Sequence, residues 1–216
     1  MHKCPVCKGS TTPFRDPQLS IMYHVCDTCQ YVCKDSTTHV SAEREKKEYD
    51  HHQNTFNSTG YVARFQRLIE TFIQPYKTEG AALDFGSGPG PVLYTMLKQI
   101  GFEAHHYDPY YYPDKSYLDH RYDVITMTEV IEHLKDPKSV LNALKPLLKP
   151  SGVLVITTEF RPESLDEFLT WWYRRDVTHL GFFNAVSMHA LFTQTGFTIR
   201  STNHRNTIVV SPTPSD

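Results

Sequence analysis

Residues 83–93 read LDFGSGPGPVL: an apolar run interrupted by a carboxylate, three glycines at alternate positions, and then the start of a helical pattern. A glycine turn between a strand and a helix lets backbone approach a ligand closely and aims unpaired N–H groups at it. The dinucleotide fingerprint is G-x-G-x-x-G, whose third glycine eases helix-to-strand contact. Here Gly86, Gly88 and Gly90 are spaced G-x-G-x-G, Pro91 stands where that third glycine would fall, and Asp84 precedes the turn by two positions. The turn departs from the dinucleotide pattern on both counts.

Working outward, short apolar runs alternate with helical periodicity, the pattern of a mostly parallel sheet covered by helices on both faces. Residues 81–85, 103–108, 122–128 and 152–160 read as strands, and 197–203 with 207–211 as a closing pair. Helices are expected over 91–100, over 137–148 with Asp136 as N-cap and Pro137 in its first turn, and over 184–196. Pro146 should loosen the end of the second. Upstream, YVARFQRLIETFI carries an amphipathic stripe over 60–73. The fold class is α/β, a mostly parallel sheet with helices on both faces.

In order and at these spacings, LDFGSGPG, YDP at 107–109 and TMTEVIEHL at 126–134 resemble the S-adenosylmethionine-dependent methyltransferases of the seven-stranded Rossmann-like class, over residues 60–211. The resemblance implies S-adenosylmethionine as methyl donor. Gly86, Ser87, Gly88 and Gly90 would lie under its methionine part, with Asp84 holding the turn or the amino group. Asp108 and Pro109 would meet the ribose, whose hydroxyls a carboxylate suits. Thr128, Glu129 and Val130 would border the sulfonium and the acceptor. Residues 109–122 are too few for the customary helix and third strand, so Tyr110–Tyr112, Tyr117 or Leu118 are the candidates for stacking on adenine.

Residues 167–183, EFLTWWYRRDVTHLGFF, resemble W-Y-x-x-D-x-T-H-x-x-F-F, a motif of one branch of these enzymes. By that resemblance Tyr173, Asp176, Thr178 and His179 belong to the active site. His179 is the candidate base with Asp176 as orienter, and His133 is the second candidate. Trp171, Trp172, Phe182 and Phe183 either cap the pocket or pack.

All five cysteines fall within the first 33 residues. Cys4/Cys7 and Cys26/Cys29 form two C-x2-C pairs at the separation of four-thiolate zinc sites, and the segment between them can return as a hairpin. One structural Zn²⁺ in a zinc-ribbon-like module over 1–33 is the expectation, with Cys33 left over. Disulfides are disfavoured without a secretion signal, and a redox pair without a βαβ context. A partly helical linker over 34–59 follows, with Glu43/Lys47 at i,i+4 spacing and His51/His52 as an exposed pair. Residues 212–216 read as a frayed tail.

A formal charge of -2 and the absence of basic runs disfavour nucleic acid as partner, leaving Lys145, Lys149, Arg174 and Arg175 as the patch that could form on folding. No stretch suits a membrane span or a signal peptide, so a cytoplasmic protein is expected. The two readings of function are methylation of a small-molecule acceptor, and methylation of RNA or protein docked by the ribbon. The pattern does not define the oligomeric state.

Overall fold

A computed structural model describes residues 2–51 and 55–214. β1 (Thr11–Arg15) and β2 (Met22–Cys26) form the expected antiparallel hairpin, and β3 (Val32–Lys34) adds to β2. α1 (Ala42–Tyr49) starts at Ser41, whose hydroxyl accepts the Arg44 N–H. Its surface pairs are Arg44–Glu48 and Lys46–Asp50, in place of Glu43–Lys47. His51 is exposed, while His52 lies outside the described residues.

α2 (Thr59–Leu68) carries the amphipathic stripe, but the backbone widens to i→i+5 bonding over Ile69–Ile73. The change of pitch leaves Phe65, Leu68, Ile69 and Ile73 all buried. Then follow β4 (Gly80–Phe85), α3 (Val92–Gln99), β5 (Phe102–Tyr107), β6 (Tyr122–Thr128), α4 (Pro137–Leu144) and β7 (Leu148–Thr157). After them come α5 (Leu165–Thr170), β8 (Gly181–Phe182), α6 (Ala185–Thr195), β9 (Phe197–Thr202) and β10 (Thr207–Pro212). Asp136 caps α4 through the Ser139 N–H, and Pro146 ends that helix in a 3-10 turn. Asn184 forms a capping box on α6, which Gly196 stops at φ 69.

The main sheet runs β5-β4-β6-β7-β10-β9, parallel from β5 to β7, with β10 antiparallel to both neighbours. Strand periodicity of two explains its layers. Leu83, Ile125, Leu154 and Ile156 share a core with Leu141 and Leu144 of α4 and Leu191 and Phe192 of α6. The alternate residues Ala82, Val124, Val153 and Val155 face Phe65 and Leu68 of α2 and Leu93 and Leu97 of α3. Each large side chain buried there contributes about 1.5–3 kcal/mol.

The sheet has six strands, one fewer than the class to which the sequence points. Residues 109–121 hold only a bridge between Asp108 and Tyr112 and a 3-10 turn at Ser116–Asp119, so β5 forms the edge. At the C-terminus the expected fraying from residue 212 does not hold. Pro212 ends β10 opposite Phe197, and the Thr213 N–H donates to the Gly196 carbonyl at 2.9 Å. Residues 215–216 lie outside the described residues.

The cysteine module is built into the rest of the chain. β8 pairs with β3, completing a four-stranded sheet β1-β2-β3-β8, with Val32 opposite Phe182 and Cys33 opposite Gly181. A Cβ on Gly181 would overlap the Tyr31 hydroxyl, so only glycine admits this approach. Phe168 of α5, Tyr173 and Phe182 form a further core with Tyr23 and Val32.

The basic patch does not form. Arg174 is fully buried, its Nε 2.8 Å from Asp16, while Lys149 pairs with Asp123. Removing one partner of a buried ion pair strands the other charge, so Arg174→Met is expected to destabilise the protein by about 3–5 kcal/mol. Adding Asp16→Asn should recover part of that loss, as read by a denaturant double-mutant cycle.

Candidate active site

A cavity of about 1010 Å³ opens at the carboxyl ends of β4, β5 and β6, where open α/β sheets place ligands. Asp84, Gly86, Ser87, Gly88, Asp108, Pro109, Thr128, Glu129 and Val130 all line it, as do Tyr173, Asp176, His179 and His133. Gly90 does not; its carbonyl instead accepts the Val92 N–H at 2.8 Å as α3 begins.

The turn after β4 is left-handed at Gly86 (φ 79) and Gly88 (φ 66). A Cβ on Gly86 would stand 2.4 Å from Val130 Cγ2, so glycine is required both for conformation and for space. Asp84 is buried, accepts from the Thr126 hydroxyl at 3.0 Å, and has its carboxyl pushed up to about 6 chiefly by desolvation. Asp108 braces the turn: Oδ2 accepts the Gly88 N–H at 2.9 Å, while Oδ1 accepts those of Tyr110 at 2.9 Å and Tyr111 at 3.1 Å.

The shortened 109–121 segment supplies a roof. Tyr110 and Tyr111 line the cavity and donate their hydroxyls to Glu45 and Asp50 at 2.5 and 2.6 Å, tying it to α1 and the residue that ends it. Tyr117 packs on Phe85 and Tyr107 instead, and Leu118 is exposed.

At the other end, the loop after β6 meets residues 167–183, an insert that follows β7 and ends on β8. Glu129 adopts φ 54, a left-handed conformation costly for a side-chain-bearing residue and characteristic of functional sites. Its carboxylate accepts from Arg64 at 2.6 Å and Thr157 at 2.9 Å on one oxygen, and from the Tyr173 hydroxyl at 2.9 Å on the other. Tyr173 also meets Glu132, so two carboxylates converge on one phenol. Burial pushes the phenol far up, and burial followed by the Glu129 charge pushes the Glu132 carboxyl up to about 8.

His179 is buried, and its expected orientation by Asp176 is not what holds it. Nδ1 lies 2.8 Å from the Tyr173 carbonyl, whereas Asp176 Oδ2 stands 3.7 Å from Nε2, beyond a hydrogen bond. Asp176 is occupied in capping its own turn, accepting both the N–H and the hydroxyl of Thr178. Desolvation, reinforced by the neighbouring His133, pushes the His179 imidazole down to about 3, so it does not titrate near neutrality. His133 is placed alike, with Nδ1 3.1 Å from the Thr178 carbonyl and its pKa lowered by burial. Of Trp171, Trp172, Phe182 and Phe183, Trp172 lines the cavity beside Tyr173, and the other three pack in the cores.

Arg64 and Glu132 escaped the sequence reading. Glu132 carried a signal, since TEVIEH places two carboxylates three positions apart beside a histidine; Arg64 carried none, being one of two arginines on the exposed face of α2.

The Cys4, Cys7, Cys26 and Cys29 sulfurs lie within 4.8 Å of one another, with Cys4–Cys29 at 3.6 Å and Cys7–Cys26 at 3.3 Å. Lys8 (φ 63) and Gln30 (φ 62) close the two knuckles in left-handed turns. Cys33 stands apart, its sulfur 3.8 Å from the His24 carbonyl. The ribbon grips the insert that carries Tyr173 and His179. Lys34 Nζ donates to the Asp176 and Val177 carbonyls at 3.2 and 3.0 Å, and Arg161 donates to the Gln30 carbonyl through Nε and a terminal nitrogen.

The chain is 32% identical over 83 residues to the ubiquinone biosynthesis O-methyltransferase of Citrobacter koseri, covering 37% of this chain and 34% of that one. It is 48% identical over 40 residues to the protein of that name from Pasteurella multocida, covering 18% and 16%. The aligned segments thus span 34% or less of these relatives. CalO1, a methyltransferase in calicheamicin biosynthesis solved in its SAH-bound form, superposes with a TM-score of 0.53 at 18% identity, over 80% of this chain and 58% of that one. That likeness is one of fold. The methyltransferase domain family matches residues 49–202, more than half of the sequence, and the chain belongs to that family, with the class I S-adenosylmethionine-dependent fold.

Proposed function

We propose that the protein transfers the methyl group of S-adenosylmethionine to a small-molecule acceptor bound between the glycine turn and the 171–179 insert. One observation carries the reading. A single cavity runs from Gly86, Gly88 and Asp108 to Tyr173, His133 and His179, joining a nucleoside-suited end to a polar, desolvated end. Gly86, Ser87 and Gly88 take the methionine part and Asp84 its amino group, Asp108 the ribose hydroxyls, and Tyr110 and Tyr111 roof the adenosine.

The chemistry is in-line displacement. A bond forms from the acceptor to the methyl carbon as the carbon–sulfur bond breaks, the sulfonium becomes a neutral thioether, and the acceptor loses its proton. The chain's part is to align the two molecules, exclude water and provide for that proton. Glu129, Thr128 and Val130 border the methyl, and His179 and His133 serve the acceptor.

The aligned small-molecule methyltransferases support this class of acceptor, and burial takes Arg174 out of the basic patch that RNA docking would use. Four converging thiolates fit one Zn²⁺, which would hold the two knuckles together and supply folding energy to a module too small to be stable by burial alone. Residues 1–34 are its ribbon, 35–58 the linker and 59–213 the catalytic domain.

With methyl-labelled S-adenosylmethionine, label is expected in the small-molecule fraction of a metabolite extract. Label confined to RNA or protein would overturn the acceptor class. His179→Ala should lower turnover by about 10²-fold, through a misplaced acceptor, while leaving cofactor affinity within about twofold. Undiminished turnover would remove His179 from the mechanism.

A further inference from the structure

We propose that Glu132, His133 and His179 form a divalent-cation site at the acceptor end of the cavity, separate from the four-cysteine cluster. One ligand atom from each lies within 4.8 Å of the others. The inference rests on reading that end of the cavity as the acceptor's.

The hydrogen bonds fix the state of the two imidazoles. His133 Nδ1 faces the Thr178 carbonyl and His179 Nδ1 faces the Tyr173 carbonyl. A carbonyl oxygen only accepts, so Nδ1 carries the proton in both rings and each Nε2 keeps a free lone pair. Metal-binding histidines are held in this way, one nitrogen donating to an outer carbonyl or carboxylate and the other turned to the ion. Neither Nε2 has a hydrogen-bond partner among the described residues.

The carboxylate supplies the second, independent observation. Glu132 is fully buried, and its Oε2 has no hydrogen-bond partner. Its other oxygen meets the Tyr173 hydroxyl, for which Glu129 and Thr158 also compete. The guanidinium in this cluster, Arg64, is already spent on Glu129. A buried carboxylate with an idle oxygen and no cation costs several kcal/mol, and its remedy is a positive charge at that oxygen. An ion bound to Oε2 and the two Nε2 atoms supplies it.

Two imidazoles and one carboxylate suit Mn²⁺, Fe²⁺, Co²⁺ or Zn²⁺ better than Ca²⁺ or Mg²⁺, which favour oxygen throughout. Three protein ligands leave positions open, and His133 and His179 line the cavity, so an oxygen of the acceptor can complete the sphere. A hydroxyl held there is acidified and gives up its proton to solvent before attacking the methyl. His179 then acts as a ligand rather than a base, in keeping with a buried, neutral ring.

The full chain with its cysteine cluster intact, free of cofactor and acceptor, is titrated with MnCl₂ while free Mn²⁺ is read by electron paramagnetic resonance. One saturable Mn²⁺ per chain is expected, with pulsed spectra showing nitrogen coupling from two imidazoles. Glu132→Gln and His179→Gln should each weaken it at least about tenfold. No saturable binding, no imidazole coupling, or affinity unchanged in both variants would overturn the site. The wild-type spectra decide the matter even where a variant fails to fold. S-adenosylhomocysteine affinity measured on the same sample separates the two readings: tight cofactor binding without Mn²⁺ sinks the cation site alone, whereas absent cofactor binding sinks the proposed function.

Discussion

Removing the four-cysteine cluster, by Cys4→Ser with Cys26→Ser or by mercurial titration of the thiols followed by chelation, is expected to unfold the ribbon and abolish turnover. Structural zinc in small modules is worth on the order of 10 kcal/mol of folding free energy, comparable to the whole stability of a typical domain. The damage should reach the active site because the module is continuous with it. β3 pairs with β8, Lys34 holds the Asp176 and Val177 carbonyls, and Asp16 holds Arg174. Released zinc reports the stoichiometry, and limited proteolysis reports the coupling, through new cleavage between residues 167 and 183. Protein with its thiols blocked that keeps its melting temperature and its turnover would show that no metal is needed and that the insert stands alone.

Asp108→Ala is expected to weaken S-adenosylmethionine binding by at least about 100-fold, since two hydrogen bonds from ribose hydroxyls to a carboxylate contribute about 1.5–3 kcal/mol each. The structure adds a second route to the same loss. The carboxylate accepts the N–H groups of Gly88, Tyr110 and Tyr111, so the variant also frees the glycine turn from the roof segment. Asp108→Asn separates the effects: it keeps the shape and one acceptor oxygen, and a smaller loss, about tenfold, is expected from calorimetry. Unchanged affinity in the alanine variant, with an unaltered melting temperature, would refute the ribose assignment.

The sheet was legible because its signals are local. Short apolar runs at 81–85, 122–128 and 152–160 mark strands covered on both faces, although the last runs over Leu148–Thr157, Asp136-Pro137 marks a helix start, and the glycine spacing marks the turn. The missing third strand was legible too, as a shortage of residues between Asp108 and Asp123. What the sequence did not disclose depends on contacts between distant segments. Nothing local to Gly181–Phe182 announces a strand that pairs with Val32–Cys33, and without that pairing Arg174 and Lys34 read as surface charge. The motif pointed to His179, which lines the cavity, but gave no hint of its orientation by a backbone carbonyl, because a carbonyl leaves no mark in the sequence. Glu132 lies within the TMTEVIEHL motif, but its burial depends on Tyr173, 41 residues away in sequence, packing over it.

The central claim is that the turn at Gly86–Gly88 and the carboxylate of Asp108 hold S-adenosylmethionine. A crystal structure of the full chain with S-adenosylhomocysteine tests it most directly. The account predicts the homocysteine part over Gly86 and Gly88, both ribose hydroxyls on Asp108, and the sulfur facing the cluster of Glu129, Tyr173 and His179. An empty cavity at saturating ligand, or the nucleoside bound with its ribose away from Asp108, would contradict it.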